Sequence, residues 1–171
     1  MCGIIGIFSL NELNPNEIDP MISSLHHRGP DANGYYYDQN VSLGHNRLSI
    51  IDTSEQSNQP MIYGDYVITY NGEIYNYKNL RKSLIEKGVH LNTFSDTEVI
   101  LGLFSLYGIN AFKMLSGIFS IAIWNKRKKK LYLIRDHLGV KPLYYVHKIR
   151  EKRIYFSSSI QSLIEVIDKK K

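Results

Sequence analysis

The sequence predicts an α+β fold in which antiparallel sheets are covered by helices. Segments with strand character outnumber helical ones, several strands are joined as hairpins by short polar turns, and helical segments fall in the intervals. This pattern favours antiparallel sheets over a doubly wound parallel sheet. The 171 residues, 43% of them hydrophobic, are enough for one domain with a buried core.

The first half of the chain is predicted to form a strand, a helix and a hairpin. An apolar, β-branched run gives the first strand, and apolar side chains at helical spacing behind Asn16, a suitable N-cap, give the helix. The segment His27-Arg28-Gly29-Pro30-Asp31 ends that helix. The predicted elements are a strand at 2–8, a helix at 17–27, and hairpin strands at 34–38 and 41–47.

The second half is predicted to add three helices and five strands. A polar loop covers 54–60, and the dipeptide Asn71-Gly72 ends the next strand. Asp96 is expected to cap a helix, and the basic run 126–130 is expected to be the exposed turn of a hairpin. The predicted strands are 66–70, 117–125, 131–136, 143–147 and 153–156, and the predicted helices are 77–87, 96–107 and 157–167.

Composition excludes several classes of protein. The single cysteine rules out a disulfide framework and any metal site built from several thiolates, and the six histidines form no metal-binding pattern. No apolar run is long enough to span a membrane. The net charge of +5 is concentrated in two segments, 126–130 and 169–171, and no aromatic and basic RNA-binding pattern accompanies them. We therefore expect a cytoplasmic protein with no nucleic-acid, membrane or metal partner.

The one cysteine, Cys2, directly follows Met1. A small second residue favours removal of the initiator methionine, after which Cys2 would carry both a thiol and a free α-amine. The amine could then take the thiol proton, so that one residue supplies the nucleophile and its base. The alternative is that Cys2 is only a small buried apolar residue.

Two further segments offer groups that an amide-cleaving cysteine needs. Asn71-Gly72-Glu73 supplies a side-chain amide, an unobstructed backbone N–H and a carboxylate, which suit an oxyanion and an ammonium group. Arg47, at the end of an apolar strand, could bind a carboxylate through two hydrogen bonds. Both have an ordinary alternative: a simple turn at Asn71-Gly72 and a surface arginine at Arg47. Asp96 is a further carboxylate that could receive an ammonium group, and its ordinary alternative is a helix cap.

Seven segments, in the same order as in the family, resemble the class II glutamine amidotransferase domain, in particular that of glutamine-hydrolysing asparagine synthetases. The resemblance covers nearly the whole chain and implies an N-terminal nucleophile hydrolase fold, a four-layer α/β/β/α sandwich with two antiparallel sheets. The segments are MCGIIGIF, HHRGPDANGYY, GHNRLSIID, NGEIYNY, SDTEVIL, SGIFSIAIWN and RDHLGVKPLYY.

The resemblance also implies a role for each matching residue. Cys2 would attack the side-chain amide of glutamine, and Asn71 and Gly72 would form the oxyanion hole. Arg47 would bind the glutamine carboxylate, while Glu73 and Asp96 would receive its α-amine. The residues that would line the substrate site behind Arg47 are Leu48, Ser49, Ile50 and Ile51.

The same resemblance implies that a partner is needed. Residues 2–167 would form the amidotransferase domain and 168–171 a basic tail, with no cofactor of its own. A synthetase domain, which uses ATP and magnesium and receives the ammonia, is absent from this chain. Ser159 stands where the family usually has a glutamate, which puts the contact with that domain in doubt. A standalone amidotransferase with another acceptor, a silent glutamine-binding regulatory module and a homodimer stay open.

Overall fold

A computed structural model describes residues 1–48 and 58–167 of the chain. These ranges contain nine strands and four α-helices, with short 3-10 turns between them. The strands are β1 (Gly3–Ser9), β2 (Ala32–Asp38), β3 (Val41–Arg47), β4 (Met61–Tyr63), β5 (Tyr66–Ile74), β6 (Gly117–Asn125), β7 (Lys130–Arg135), β8 (Tyr144–Lys148) and β9 (Arg153–Ser157). The helices are α1 (Asp19–Ser24), α2 (Tyr77–Glu86), α3 (Asp96–Tyr107) and α4 (Ile160–Ile167).

The strands form two antiparallel sheets, as the sequence predicts. Sheet A has five strands in the order β2-β3-β1-β9-β8, and sheet B has four in the order β4-β5-β6-β7. Every pair of neighbouring strands is antiparallel. The N-terminal strand β1 lies at the centre of sheet A, so the start of the chain is held on both sides.

Three apolar clusters show how the layers stack. The middle cluster joins the inner faces of the two sheets and includes Ile4, Val67 and Trp124. A second cluster packs the outer face of sheet B on α2 and α3, and a third packs the outer face of sheet A on α1 and α4. The order is therefore helices, sheet A, sheet B, helices, which confirms the expected four-layer α/β/β/α sandwich.

The predicted helix at 17–27 is wrong in its extent. The α-helix covers only Asp19–Ser24, and 3-10 turns flank it at Pro15–Ile18 and His26–Arg28. Pro20 explains the late start, because a proline inside a longer helix would remove a backbone donor and clash with the preceding turn. The capping side chain is that of Asn14, which accepts a hydrogen bond from Asn16 N at 3.1 Å, so Asn16 is not the cap.

The predicted end of β5 at Asn71-Gly72 is also wrong. The strand continues to Ile74, and Asn71 and Gly72 pair with Ser120 and Phe119 of β6. A Cβ on Gly72 would lie 2.2 Å from the carbonyl oxygen of Ile118, so glycine is needed there for close packing of backbone and not for a turn.

Other boundaries differ less. The sequence pattern does not predict strand β4, α4 begins at Ile160 and not at residue 157, and α2 and α3 match their predictions to within a residue. The basic residues 127–130 are exposed at the β6–β7 turn, as expected, and Lys129 contacts Asp38 at 3.2 Å. Within the described ranges, no helix has the length and apolar character needed to cross a membrane.

Candidate functional site

The space between the two sheets is apolar at one end and polar at the other. On β3, Leu43 belongs to the apolar middle cluster, so the period of two places His45 and Arg47 on the same inner face. On β1, Ile4 belongs to that cluster and pairs with His45, which puts Cys2, two residues earlier, on the inner face beside Arg47. Sheet A therefore carries a thiol and a guanidinium at this end.

Sheet B carries amide and carboxylate groups at the same end. Val67 of β5 belongs to the middle cluster, so Asn71 and Glu73 also face sheet A by the period of two. Strands β1 and β3 both pack against β5. The side chain of Asn71 is buried, whereas that of Glu73 is exposed at the strand's end. The two sheets thus bring Cys2 and Arg47 to face Asn71 and Glu73.

The thiol of Cys2 is held by the backbone of Leu48. The Leu48 N–H donates to Cys2 Sγ at 3.3 Å, and the Leu48 carbonyl lies 3.4 Å from the same sulfur, where it can accept the S–H. Cys2 is half-buried. An N–H directed at the sulfur stabilises negative charge that develops there, as a nucleophilic thiolate requires.

The segment His27–Asp31 covers the N-terminus. The Met1 ammonium donates to the carbonyl oxygen of Arg28 at 3.1 Å, and Arg28 Nε donates to the Cys2 carbonyl at 3.3 Å. Glycine at position 29 allows the segment to lie close to β3, because a Cβ there would lie only 2.3 Å from the carbonyl oxygen of Asn46. Arg28 is not among the predicted site residues, although it lies in one of the segments that carry the resemblance.

A rigid loop borders the N-terminus from the other sheet. The carboxylate of Asp136 accepts hydrogen bonds from the backbone N–H groups of four residues, and Lys141 Nζ lies 3.5 Å from Met1 Sδ. Burial acts to raise the pKa of Asp136, but these hydrogen bonds hold it below its ordinary value. The four donors are Phe119, Leu138, Val140 and Lys141. In the motif RDHLGVKPLYY, the loop after Asp136 is therefore held by hydrogen bonds to one carboxylate.

Arg47 is buried and its guanidinium is anchored within the site. Its Nη1 donates to Asn58 Oδ1, and its backbone carbonyl accepts from Asp31 N at 3.1 Å. The residue is 8% exposed, so a carboxylate bound to its guanidinium would be shielded from water. Of the residues predicted to line the site behind it, Leu48 contacts Cys2, whereas Ser49, Ile50 and Ile51 lie outside the described residues.

The amide of Asn71 is buried, and its donor has no partner among the described residues. The residue is 2% exposed, and Asn71 Nδ2 donates to no atom in the described part of the chain. An unpaired buried donor costs about 1–3 kcal/mol of stability, so folding alone does not explain this arrangement. A donor held in place and left unoccupied is what an oxyanion hole requires.

The backbone N–H of Gly72 lies at the open edge of β5. The N–H groups of Tyr70 and Ile74, on either side of it along the strand, point away from β6 to Gln59 Oε1 and Asp96 Oδ2. By the alternation of a strand, the Gly72 N–H points to the same edge. Strand β4 pairs with β5 only as far as Ile68, and in the described ranges no other strand pairs with that edge beyond it.

Asp96 reaches the site from the helical layer. Its Oδ2 accepts from Tyr70 O–H at 2.7 Å and from Ile74 N at 3.1 Å. Burial raises the pKa of Asp96, and these hydrogen bonds oppose that rise. The expectation that Asp96 caps α3 is wrong, since the cap is Ser95, whose Oγ accepts from Glu98 N at 3.2 Å.

His45 joins the two sheets and is a site residue that the sequence reasoning missed. Its Nε2 lies 3.1 Å from the carbonyl oxygen of Tyr70. Because a carbonyl only accepts, a neutral imidazole carries its proton on Nε2. Burial lowers the pKa of His45 to about 4, the charge of Arg47 adds to this effect, and the hydrogen bond to Tyr70 opposes it. Only the pairing of β3 with β1 and the packing of sheet A on β5 could have identified His45.

The assembled groups suit one kind of substrate. A thiol and an unpaired amide donor can attack and polarise a carboxamide, a buried guanidinium can bind a carboxylate, and two carboxylates can receive an ammonium group. Such a molecule is an α-amino acid with a side-chain amide. Among the described residues, no group of three or more His, Cys, Asp or Glu side chains is placed to hold a metal ion.

Comparisons with known proteins agree with this chemistry. The chain is 44% identical to asparagine synthetase [glutamine-hydrolyzing] 1 of Bacillus subtilis, over 96% of this chain and 27% of that protein. It is 34% identical to asparagine synthetase B [glutamine-hydrolyzing] of Escherichia coli, over 97% of this chain and 30% of that protein. The chain thus spans under a third of the length of these curated relatives.

A solved structure and a family profile complete the comparison. The glutamine phosphoribosylpyrophosphate amidotransferase of B. subtilis has the same fold, with a TM-score of 0.82 at 21% identity, over 96% of this chain and 43% of that chain. The profile of the glutamine amidotransferase domain matches residues 1–171. On this match, the chain belongs to the glutamine amidotransferase domain family.

Proposed function

We propose that this domain hydrolyses glutamine to glutamate and ammonia with Cys2 as its nucleophile. The thiolate attacks the side-chain carboxamide carbon, and the negative oxygen that forms is stabilised by Asn71 Nδ2 and the Gly72 N–H. The α-amine of Cys2, once Met1 is removed, takes the thiol proton and passes it to the departing ammonia. Water then cleaves the glutamyl thioester and releases glutamate.

The remaining site residues hold the amino-acid end of glutamine. Arg47 binds the α-carboxylate, Glu73 and Asp96 receive the α-ammonium, and Leu48 lines the site. The burial of Arg47 and Asp96 supports these assignments. A charged group of glutamine that pairs with either side chain would be shielded from water, and such a pair is stronger than an exposed one. The domain itself needs no cofactor for these steps.

The observation that carries the proposal is the buried, unpaired Asn71 Nδ2 on the strand that faces Cys2. The direct test is ammonia release from glutamine by the purified chain, with intact mass to show that Met1 is absent. We expect turnover in the wild-type chain and none in Cys2→Ala. Wild-type turnover in Cys2→Ala would overturn the mechanism, and glutamine binding without turnover in a chain that lacks Met1 would favour a regulatory module.

We further infer that the ammonia passes to a synthetase domain that makes asparagine. The names of the relatives support this inference, as does the fraction of their length that this chain leaves unmatched. ATP and magnesium would serve that domain, where aspartate is activated. Asparagine formation from aspartate, glutamine and ATP by this domain joined to its synthetase tests the acceptor. Product formation only with another acceptor would overturn the assignment of aspartate.

We also expect a cytoplasmic enzyme with no nucleic-acid or membrane partner. A homodimer is compatible with this function.

A further inference from the structure

Tyr70 makes hydrogen bonds through its backbone and its hydroxyl to residues at and around the proposed site. Its N–H donates to Gln59 Oε1 at 2.6 Å, and its carbonyl accepts from His45. Its hydroxyl donates to Asp96 Oδ2 at 2.7 Å. It directly precedes Asn71 on β5. One residue therefore links the oxyanion strand to the carboxylate on α3.

We propose that the hydroxyl of Tyr70 is a positioning group, which holds the carboxylate of Asp96 in the orientation that receives the α-ammonium of glutamine. This inference rests on the proposed function, since it assigns Asp96 to the substrate amine. Tyr70 itself does not touch glutamine in this scheme. It acts only through Asp96.

The burial of the pair explains why Asp96 needs this donor. Asp96 is 5% exposed and Tyr70 is 3% exposed, so water cannot replace a lost hydrogen bond at either group. Apart from Tyr70 O–H, Asp96 Oδ2 accepts from the N–H of Ile74. The backbone N–H groups of Thr97 and of Asp96 itself also donate to this carboxylate, so Tyr70 O–H is its side-chain donor. Without Tyr70 O–H only backbone donors hold the carboxylate, and Oδ2 shifts from the geometry that a directional ammonium contact needs.

The hydroxyl remains a donor throughout the working range of pH. Burial and the negative charge of Asp96 both raise the pKa of Tyr70 well above its ordinary value, with smaller contributions from Glu73 and Cys2. The proton therefore stays on the tyrosine oxygen. The direction of the hydrogen bond is fixed from Tyr70 to Asp96.

The ordinary alternative is that Tyr70 only fills the core between sheet B and the helices. Its ring belongs to the cluster on that side, together with the half-buried ring of Tyr66, which lies on the same face of β5 and packs edge-on against Phe104. Tyr70→Phe keeps the ring and removes the hydroxyl. Tyr66→Phe makes the same chemical change on the same strand, away from Asp96, and is the matched control.

Binding measurements separate the two roles. In chains that carry Cys2→Ala, which cannot turn over, the Kd of glutamine is measured by calorimetry beside that of glutaramate. Glutaramate has the carboxylate and the carboxamide of glutamine but no α-amine. We expect Tyr70→Phe to raise the Kd of glutamine about tenfold, because a displaced Asp96 carboxylate loses part of its charge-assisted hydrogen bond to the α-ammonium, and to leave the Kd of glutaramate unchanged. Tyr66→Phe should change neither.

The possible outcomes are distinct. An equal loss for both ligands, or no loss for either, in a chain that thermal unfolding shows to be folded at the assay temperature would overturn the positioning role. Tyr70→Phe should also have no further effect once Asp96→Asn is present, because the two changes act on one contact. Absence of turnover in the wild-type chain would overturn the proposed hydrolysis while leaving this binding test intact. If neither ligand binds, the positioning role is overturned, while ammonia release by the wild-type chain still decides the proposed hydrolysis.

Discussion

His45 donates a hydrogen bond from Nε2 to the carbonyl oxygen of Tyr70, at 3.1 Å, across the space between the two sheets. Arg47 lies two residues beyond the donor on β3, and Asn71 follows the acceptor on β5. A second bond, from Thr69 Oγ1 to the Gly44 carbonyl at 3.1 Å, lies beside it. These contacts set the position of the guanidinium relative to the amide donor, and so the length of substrate that fits between them.

The buried histidine predicts how stability depends on pH. Above the ordinary pKa of 6.5, His45 is neutral in both the folded and the unfolded chain. As the pH falls from about 6.5 to about 4, only the unfolded chain takes up this proton, so the free energy of unfolding decreases. The full decrease from this group is about 3 kcal/mol. Urea unfolding at a series of pH values should show it.

A pair of variants isolates that contribution. His45→Gln removes the titrating group and should flatten the decrease between pH 6.5 and pH 4, although the variant is less stable at neutral pH. His147→Gln, on the exposed part of β8, should leave the decrease as it is in the wild-type chain. Identical pH curves for all three chains would contradict a neutral buried His45.

Most of the strands along the chain, and several polar residues of the candidate site, could be predicted from the sequence, but their environment could not. Arg47 could be proposed because it ends an apolar strand and its guanidinium can bind a carboxylate through two hydrogen bonds. Asn71-Gly72 has the composition of a turn, and only its pairing with β6 makes it part of a strand. Asp96 likewise has the position of a helix cap in the sequence, whereas in the structure its carboxylate accepts hydrogen bonds from Tyr70 and Ile74 of β5. In both cases the environment of the residue depends on contacts between segments that are distant in the sequence.

Asn71→Ala is expected to lower the rate of glutamine hydrolysis about 10²- to 10³-fold, because one oxyanion donor contributes about 2.7–4 kcal/mol to the transition state. Glutamine affinity should change little, since the ground-state amide oxygen gains less from that donor than the oxyanion does. The measurement is kcat by ammonia release, beside the Kd of glutamine in chains that carry Cys2→Ala.

Asn76→Ala is the matched control for that change. The Asn76 side chain donates to the Met114 carbonyl at 2.9 Å and accepts from Ser116 N at 3.0 Å, so its loss should lower the free energy of unfolding by about 1–2 kcal/mol and spare the rate. Asn71→Ala should show the reverse pattern. Equal effects of both variants on the rate would contradict the assignment of Asn71.

Gly72→Ala is expected to damage both stability and turnover. The added Cβ would lie 2.2 Å from the Ile118 carbonyl and 2.7 Å from Phe119 Cα, so β5 and β6 must separate, at a cost of about 1–3 kcal/mol. Gly64→Ala, at a turn with open space around it and a φ of +56°, should cost about 1 kcal/mol and leave kcat unchanged. Full activity in Gly72→Ala would mean that the backbone here is not part of the oxyanion hole.

A residue that remains in front of Cys2 is expected to abolish hydrolysis without unfolding the chain. Met1 is 56% exposed, and its ammonium donates to the Arg28 carbonyl, so a short extension has room to leave the surface. The α-amine that serves Cys2 as its base would then be tied up in a peptide bond, which cannot accept the thiol proton. Intact mass identifies each N-terminus, and thermal unfolding checks the fold. We expect equal melting temperatures for the processed and extended chains, and ammonia release from the processed chain alone. Turnover by a fully extended chain would show that another group serves as the base.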